Sequence, residues 1–364
     1  MNKWRVGIIG ATGMVGQRFI TLLSDHPWFQ LNALAASSRS AHRSYEEAVQ
    51  GRWVMPCPLP QSVASMPVLD ASDIDTLRPL VDFVFCAVNL PKDETRALEE
   101  RYAKCGIPVV SNNSACRPLP DVPLIIPEIN ASHLAVLDAQ KKRLGTDRGF
   151  IVVKPNCSIQ SYVPALTPLL RFGIKAVSVC TYQAISGAGK TFDRWPEMRD
   201  NVIPFISGEE EKSEQEPLKV WGKLSADGQR IENAAAPVIS AQCLRVPVSD
   251  GHMAAVSVSF EHTPKREEIL ACWQQGETEP VQLGLPGAAR PFLRYFEEND
   301  RPQTRLDRDL SHGMGISIGR LRPDTLFDWR FVCLSHNTLR GAAGGAVLTA
   351  ELLCKKGYIP KEGQ

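Results

Sequence analysis

The sequence predicts an α/β protein. We expect an N-terminal doubly wound parallel sheet, an α+β region with a mostly antiparallel sheet, and a C-terminal helix that returns to the first sheet. A strand, a glycine-rich turn and a helix open the chain, and apolar strands then alternate with helical segments up to residue 153, which is typical of parallel sheets. Residues 176–182 alternate apolar and polar side chains, which predicts a strand covered on one face only.

Composition narrows the class of protein. The 364 residues are enough for two domains, and a net charge of +1 gives no case for nucleic acid or an anionic membrane as partner. No apolar run has membrane-spanning length, and the N-terminus leads directly into a strand without a cleavable signal. The ten cysteines include no Cys-x-x-Cys pair, so neither a metal site nor a disulfide scaffold is indicated. These observations favour a cytoplasmic enzyme with reduced thiols.

The glycine-rich turn at residues 10–16 is a candidate phosphate site. It follows an apolar strand at residues 6–9 and precedes an expected helix at residues 17–23, an order in which backbone N–H groups and the helix dipole can receive a pyrophosphate. The spacing is G-x-x-G-x-x-G rather than G-x-G-x-x-G, and a glycine turn of any α/β protein is the alternative. The candidate nucleotide ligands are Gly10, Thr12, Gly13, Met14 and Val15.

The second strand, residues 31–36, ends in a polar turn made of Ser37, Ser38, Arg39 and Ser40. NAD-specific sites place an acidic residue at this point to bind the ribose 2′-hydroxyl. No acid lies between Leu31 and Ala41, and Arg39 with its serines can hold a 2′-phosphate instead. This favours NADP, with a solvated loop arginine as the alternative.

Residues 111–117 follow a further strand, at residues 108–110. Ligands of open parallel sheets bind beyond the carboxyl ends of the strands, so this loop is expected near the ligand. Arg117 is its candidate anion ligand because a guanidinium binds phosphate or carboxylate through two hydrogen bonds. A surface ion pair is the commoner role of an arginine and stays open.

Cys157 is the candidate nucleophile. The apolar strand at residues 150–153 is broken by Pro155 and Asn156, and a helix is expected from residue 158 to about 171. A thiol at the start of a helix is favoured as thiolate by the helix dipole. A thiolate with an acid/base partner can carry acyl chemistry. The alternative is a buried structural cysteine.

The later part of the chain offers a candidate base. Arg245 and His252 lie seven residues apart before the alternating strand 253–260, and a glycine turn places His252 where it can project into a cleft. A structural histidine is the alternative. The acidic stretch 207–216 is interpreted mostly as a solvated face. The small residues of the tail, 340–354, predict a helix that packs against the nucleotide-binding sheet.

Six motifs follow one another along the chain, at residues 10–16, 111–117, 155–158, 181–183, 245–252 and 335–344. Together they resemble the aspartate-β-semialdehyde dehydrogenase family over nearly the whole chain, and residues 208–212 resemble the branch found in archaea, fungi and some bacteria.

The resemblance implies a Rossmann-type NADP-binding domain at residues 1–155 and 337–364 and a catalytic and dimerisation domain at residues 156–336. It implies a homodimer or homotetramer. The implied reaction is NADPH-dependent reductive dephosphorylation of L-4-aspartyl phosphate to L-aspartate 4-semialdehyde through a cysteine thioester.

The resemblance also implies roles for individual residues. Cys157 matches the nucleophile, His252 the general acid/base, and Gln183 the residue that positions the acyl group. Substrate contacts fall on Arg117 (phosphate), Arg245 (α-carboxylate), Glu216 (ammonium), Lys219 beside the phosphate, and Lys212. Further cofactor contacts fall on Ser186, Gly187, Gly189 and Asn337, with Asn337 at the nicotinamide amide.

Three alternatives stay open. A malonyl- or succinyl-CoA reductase on the same scaffold would share Cys157, His252 and NADPH but would not need Glu216 to bind an ammonium. An N-acetyl-γ-glutamyl-phosphate reductase uses the same acyl-phosphate chemistry, although the context of residues 155–158 is less like it. A non-catalytic NADP-binding sensor predicts loss of the nucleophile or the base, and both are present.

Overall fold

The computed structural model describes residues 3–274 and 276–361. Its first sheet has six strands in the order β3-β2-β1-β4-β5-β6, which is the order of dinucleotide-binding folds, and every neighbouring pair is parallel. The strands are β1 (Trp4–Ile9), β2 (Phe29–Ala36), β3 (Val68–Asp70), β4 (Phe83–Cys86), β5 (Val109–Ser111) and β6 (Ile151–Val153). The predicted doubly wound parallel sheet is confirmed.

The α-helices and helical turns are α1 (Met14–Leu23), α2 (Tyr45–Val49), α3 (Gln61–Ala64), α4 (Ile74–Leu77), α5 (Lys92–Lys104), α6 (Leu137–Leu144), α7 (Val163–Leu166), α8 (Glu209–Val220), α9 (Arg266–Trp273), α10 (Glu279–Gln282), α11 (Thr304–Asp307), α12 (Leu310–Gly313) and α13 (Gly344–Lys355). Helix α1 begins at Met14, three residues before the predicted start. Gly16 allows this early start, because a Cβ there would lie 2.4 Å from the carbonyl oxygen of Gly10.

The second sheet has the order β10-β7-β11-β14-β13-β12. Its strands are β7 (Ile174–Gln183), β10 (Val238–Arg245), β11 (His252–Phe260), β12 (Leu293–Phe296), β13 (Ile316–Pro323) and β14 (Trp329–Ser335), and a separate hairpin joins β8 (Lys223–Leu224) to β9 (Ile231–Glu232). The three central pairs are antiparallel, while β10 with β7 and β12 with β13 are parallel. The prediction of a mostly antiparallel sheet is confirmed.

The helix expected directly after Cys157 is not continuous. A 3₁₀ turn at Ile159–Ser161, helix α7 and a second 3₁₀ segment at Thr167–Phe172 occupy its place. Pro164 and Pro168 stand in the first turns of the last two pieces, where a missing N–H is tolerated but a continuous hydrogen-bond ladder is not. The prediction of one helix from residue 158 to 171 is therefore wrong.

The C-terminal helix returns to the first sheet as predicted. A π-helical segment at Leu339–Ala343 leads into α13, whose apolar face joins the core formed by β1, β2 and α1. Small residues at Ala343, Ala346 and Ala350 are fully buried and bring its backbone close to its neighbours. The domain boundaries at residues 155 and 337 remain a prediction. Within the described residues, no helix is long and apolar enough to cross a membrane.

Candidate active site

The second sheet brings three predicted site residues to one edge. Gln183 ends β7, and Arg245 ends the parallel neighbour β10 in direct register with it. His252 begins β11, which runs antiparallel to β7, so its first residue lies at the edge where β7 ends. All three side chains are buried. Sheet topology, rather than sequence distance, therefore assembles this side of the site.

Cys157 faces His252 across the boundary between the two sheets. The Cys157 Sγ atom lies 3.4 Å from His252 Nε2, within hydrogen-bond reach for sulfur. Cys157 follows β6 of the first sheet, whereas His252 belongs to the second. The predicted pair of nucleophile and acid/base is therefore brought into contact.

His252 is held as a neutral imidazole. Its side chain is completely buried, and this burial together with the neighbouring Arg245 lowers its pKa to about 3. The backbone N–H of Ala184 donates to Nδ1 at 3.1 Å. In this hydrogen-bond network Nε2 therefore carries the proton and faces Cys157 as a donor.

Burial raises the pKa of the Cys157 thiol, and the nearby Glu209 acts in the same direction. Lys154, Arg117 and Arg245 oppose this by favouring the negative charge. The prediction that a helix dipole activates Cys157 is not supported, because the pieces after it are too short and broken. Side-chain cations supply the stabilisation that the helix was expected to give.

Glu209 is a site residue that the sequence analysis missed. Its carboxylate accepts hydrogen bonds from Asn156 Nδ2 at 3.0 Å, from Gln183 Nε2 at 3.2 Å and from Lys212 Nζ at 2.8 Å. Burial alone would raise its pKa, but Lys212 and these donors hold the pKa below its usual range. Glu209 thus fixes the amide of Gln183 and the residue preceding Cys157.

The interpretation of residues 207–216 as a solvated face is wrong for one side of α8. Glu209, Ser213 and Glu216 recur at helical spacing and are buried, whereas Glu211 is exposed. The same spacing of polar residues occurs in a charged surface helix. The sequence therefore cannot show that this side of α8 is buried unless the surface that packs against it is known.

Arg117, Glu216 and Lys219 form a second polar group. Arg117 Nη1 lies 2.8 Å from Glu216 Oε1, and Glu216 Oε2 accepts from the backbone N–H of Asn156 at 2.6 Å. Lys219 Nζ donates to the carbonyl oxygens of Arg117 and Leu119, both at 2.6 Å. Burial lowers the pKa of Lys219 to about 8. The three predicted substrate residues are therefore adjacent. Through Glu216 they contact Asn156, the residue directly before the nucleophile.

Gly187 closes the site beside His252. A Cβ at this position would lie 2.8 Å from Arg245 Nη1 and 3.0 Å from His252 Nε2, so a larger residue would displace both side chains. Arg245 Nη1 also donates to the carbonyl oxygen of Ala184 at 2.7 Å. A close approach therefore explains the glycine.

The predicted nucleotide turn has the geometry that a pyrophosphate needs. Gly10 has φ of +89°, and a Cβ there would lie 2.4 Å from the carbonyl oxygen of Ala87. Gly13 caps α1 without a side-chain hydrogen bond, and no acidic residue lies in the first turn of this ten-residue helix. The N–H of Gly13 donates to the carbonyl oxygen of Gly10 at 3.2 Å, whereas the N–H groups of Met14 and Val15, in the first turn of α1, have no intrahelical partner and thus suit an anionic group.

The turn after β2 lies beside this site, because β1 and β2 are adjacent parallel strands. Ser37, Ser38 and Arg39 are exposed, while Ser40 is buried. Arg39 makes no ion pair with the residues that the structure describes. Its guanidinium is therefore available to an anionic ligand at the edge of the first sheet.

Asn337 ties the loop around Ser186 to the turn before His252. Its Oδ1 accepts from the backbone N–H of Gly251 at 2.8 Å, and its Nδ2 donates to Ser186 Oγ at 2.8 Å. Gly189 follows in a left-handed conformation with φ of +68°. Asn337 therefore already has partners at both ends of its amide, besides the nicotinamide contact expected of it.

Two family profiles match the chain in the same order. Residues 5–137 match the semialdehyde dehydrogenase NAD-binding domain, and residues 166–340 match the semialdehyde dehydrogenase dimerisation domain. An aspartate-semialdehyde dehydrogenase of Archaeoglobus fulgidus is 44% identical over 98% of this chain and all of its own length. One from Aspergillus fumigatus is 42% identical over 98% of this chain and 99% of its own.

The chain belongs to the aspartate-semialdehyde dehydrogenase family. It is an oxidoreductase of that family, as the resemblance predicted. Its archaeal and fungal relatives agree with the branch expected from residues 208–212.

Solved structures agree with this membership. The crystal structure of the Candida albicans aspartate semialdehyde dehydrogenase with NADP is 38% identical, with a TM-score of 0.88, and the match covers 98% of this chain and all of that one. An aspartate semialdehyde dehydrogenase II of Vibrio cholerae is 24% identical with a TM-score of 0.73, over 98% of this chain and 99% of that one, and supports the fold alone.

Proposed function

We propose that this chain catalyses the NADPH-dependent reductive dephosphorylation of L-4-aspartyl phosphate to L-aspartate 4-semialdehyde through a thioester on Cys157. The observation that carries the proposal is the 3.4 Å contact between Cys157 Sγ and His252 Nε2, in a buried site that also contains Arg117, Arg245 and Glu216. A substrate with a phosphate, a carboxylate and an ammonium needs cations for its two anionic groups and an anion for its ammonium. The two arginines and Glu216 provide these charges.

The Cys157 thiolate attacks the acyl carbon of the substrate, and the bond to the phosphate oxygen breaks with release of phosphate. His252, neutral and protonated at Nε2, donates a hydrogen bond to the oxygen that becomes negative during attack. When bound, NADPH supplies the hydride that reduces the acyl carbon. The hydride leaves a hemithioacetal alkoxide on Cys157, and the Nε2–H of His252 donates a hydrogen bond to its oxygen. The C–S bond then breaks, the alkoxide becomes the aldehyde, and Cys157 leaves as the thiolate.

The substrate roles follow from charge and position. Arg245 binds the α-carboxylate, and Arg117 with Lys219 binds the phosphate. One nitrogen of Arg117, Nε, is buried without a partner among the described residues and can serve this purpose. Lys212 adds positive charge apart from the group formed by Arg117, Glu216 and Lys219, at the position where it pairs with Glu209.

Glu216 receives the substrate ammonium in this proposal, although both of its oxygens already accept hydrogen bonds. A carboxylate oxygen has two lone pairs, so Glu216 can accept a further donor without losing Arg117. Gln183 lies in register with Arg245 and positions the acyl group, and Glu209 holds the Gln183 amide in place.

The cofactor is NADP, the ligand of the Candida albicans relative. The turn with Gly10, Thr12, Gly13, Met14 and Val15 would hold the pyrophosphate. Arg39 with Ser37, Ser38 and Ser40 would hold the 2′-phosphate, and Ser186, Gly187, Gly189 and Asn337 would border the nicotinamide.

The assembly is a homodimer or homotetramer that uses the second domain, in agreement with the dimerisation-domain match at residues 166–340. The proposed location is the cytoplasm, and the ten cysteines support it because all are free thiols, which suit a reducing compartment.

The test is reduction of NADP⁺ by the purified protein with L-aspartate 4-semialdehyde, with and without phosphate, followed by nicotinamide absorbance. Turnover that requires phosphate is the expected result. Oxidation of NADPH with malonyl-CoA or succinyl-CoA, without turnover of the semialdehyde, would contradict the proposal and favour the CoA-reductase alternative, which the comparisons do not support.

A further inference from the structure

Lys154 is a buried cation that the proposed mechanism does not use. It follows β6 directly, three residues before Cys157, and only 2% of its surface is exposed. Its Nζ donates to the carbonyl oxygen of Pro155, which is a neutral acceptor. In the described part of the chain, no carboxylate lies within ion-pair distance of this ammonium. A buried ammonium without a carboxylate partner is costly and calls for a local anion.

Lys154 and Cys157 pack against the same segment of the C-terminal region. A Cβ on Gly341 would lie 2.9 Å from Cys157 Cβ, and a Cβ on Gly345 would lie 3.3 Å from Lys154 Cδ. These two glycines are four residues apart, with Gly341 in the π-helical segment and Gly345 in the first turn of α13. The ammonium-bearing side chain and the thiol therefore lie beside each other along one stretch of backbone.

His252 cannot provide the positive charge that a thiolate needs in this site. Its Nδ1 is occupied by the N–H of Ala184, and the ring is fully buried and neutral. A neutral ring protonated at Nε2 can donate to Cys157 Sγ, but it cannot remove the proton of a thiol.

The two arginines near Cys157 have other binding partners, observed or proposed. Arg117 is paired with Glu216 at 2.8 Å, and the carboxylate offsets part of its effect on Cys157. Arg245 is the proposed ligand of the substrate carboxylate. Of the three cations that act on the sulfur, Lys154 has the largest effect, and it has no carboxylate partner among the described residues.

We propose that the Lys154 ammonium is the counter-charge of the Cys157 thiolate. On ionisation the S–H bond breaks, the sulfur keeps the electron pair and the proton leaves to solvent water. Lys154 acts through Cys157 and touches no reacting atom, so it is a positioning residue. The proposal rests on the proposed role of Cys157 as the nucleophile.

The charged groups around the pair set its titration. Burial and then Arg117 lower the pKa of Lys154 to about 7, Arg340 also lowers it, and Cys157 and Glu216 act in the opposite direction. Each charge of the pair favours the other, so the titrations of the ammonium and the thiol are coupled. Without the lysine charge, burial and Glu209 would leave Cys157 as a thiol to higher pH.

The experiment measures the rate of alkylation of Cys157 by iodoacetamide from pH 6 to 10, with peptide mass spectrometry to separate it from the other cysteines. Lys154→Met removes the charge, Lys154→Arg retains it, and Lys175→Met is the control at an exposed lysine. The exposed Cys57 serves as an internal reference in every variant. The readout is the pH midpoint, the pH at which the alkylation rate of Cys157 is half-maximal. The absolute rate is not used, because the nucleophilicity of a thiolate itself changes with the pKa of the thiol.

We expect Lys154→Met to raise the Cys157 midpoint by about one pH unit, which is roughly a tenfold loss of thiolate below the midpoint. Lys154→Arg and Lys175→Met should keep the wild-type midpoint, and Cys57 should not change. An unchanged Cys157 midpoint in Lys154→Met would overturn the proposal. Should this variant fail to melt cooperatively, Lys154→Gln replaces it with the same expectations.

Turnover after alkylation distinguishes failure of the proposed function of Cys157 from failure of the proposed role of Lys154. In the wild type, alkylation of Cys157 should abolish turnover in step with modification. Full turnover after modification would reject Cys157 as the nucleophile, whatever the midpoints show. An unchanged midpoint with loss of turnover on alkylation would reject only the role of Lys154.

Discussion

Gly341 lies so close to Cys157 that a Cβ on the glycine would stand 2.9 Å from Cys157 Cβ and 3.2 Å from its Cα. Two of the three nearest atoms belong to the Cys157 backbone, which cannot move aside as a flexible side chain can. The C-terminal segment thus forms a wall of the active site as well as the link back to the first sheet.

Gly341→Ala should displace Cys157 by a few tenths of an ångström and lengthen its contact with His252. We expect a lower kcat and a loss of about 1–3 kcal/mol in the free energy of unfolding, because the added methyl group overpacks a buried site. Steady-state kinetics and urea denaturation measure the two effects. Gly276→Ala is the control, since a Cβ there meets no atom within 4 Å. Equal effects of both substitutions would contradict the explanation.

Cys157→Ser should abolish turnover and leave NADPH binding intact, because the nucleotide turn at residues 10–15 is built on another strand. A serine hydroxyl is far less ionised than a thiol near neutral pH and cannot form the thioester. Turnover assays and fluorescence titration with NADPH provide the measurement. Loss of NADPH binding would count against the proposed separation of roles.

Arg39→Ala should weaken NADPH binding far more than NADH binding. A lost charge-assisted hydrogen bond to a 2′-phosphate corresponds to roughly tenfold to hundredfold in Kd. Titration of the variant with both nucleotides measures the difference. Arg78→Ala, at another exposed arginine of the first domain, should change neither affinity. Equal losses for NADPH and NADH in Arg39→Ala would reject the 2′-phosphate contact.

Glu209→Gln should impair both stability and catalysis, whereas Glu211→Gln on the exposed side of the same helix should be neutral. The new amide would turn a donor towards the amide groups of Asn156 and Gln183 and would lose the ion pair with Lys212. We expect a loss of about 1–3 kcal/mol in the free energy of unfolding and a lower kcat. Wild-type behaviour of Glu209→Gln would mean that this network does not position Gln183.

His252 should make the fold less stable in mild acid. Its pKa is lowered to about 3 in the folded protein, so the unfolded chain binds a proton below about pH 6.5 that the folded chain does not. This single group should therefore cost about 2 kcal/mol in stability between pH 7 and pH 5. His252→Gln removes the proton-binding group, and its unfolding free energy should depend less on pH over this interval. An identical pH dependence in variant and wild type would contradict the buried neutral state.

The sequence alone determined the parallel sheet, the glycine turn, the returning helix and the family. These depend on local patterns and motif order: a strand such as β1 followed by Gly10 and α1 is recognisable wherever it packs. The contact between Cys157 and His252 also followed from the resemblance, because family motifs carry geometry that spacing does not.

Only the tertiary structure decided the protonation states and the charge pairing of the site residues. Burial raises the pKa of the Cys157 thiol and keeps His252 neutral, and it turns Glu209 from an expected surface charge into the acceptor of three side chains. It also leaves Lys154 beside the nucleophile with a carbonyl as its only hydrogen-bond partner in the described structure. Desolvation and charge pairing depend on which elements meet, and residues far apart in the chain meet only once both sheets are packed.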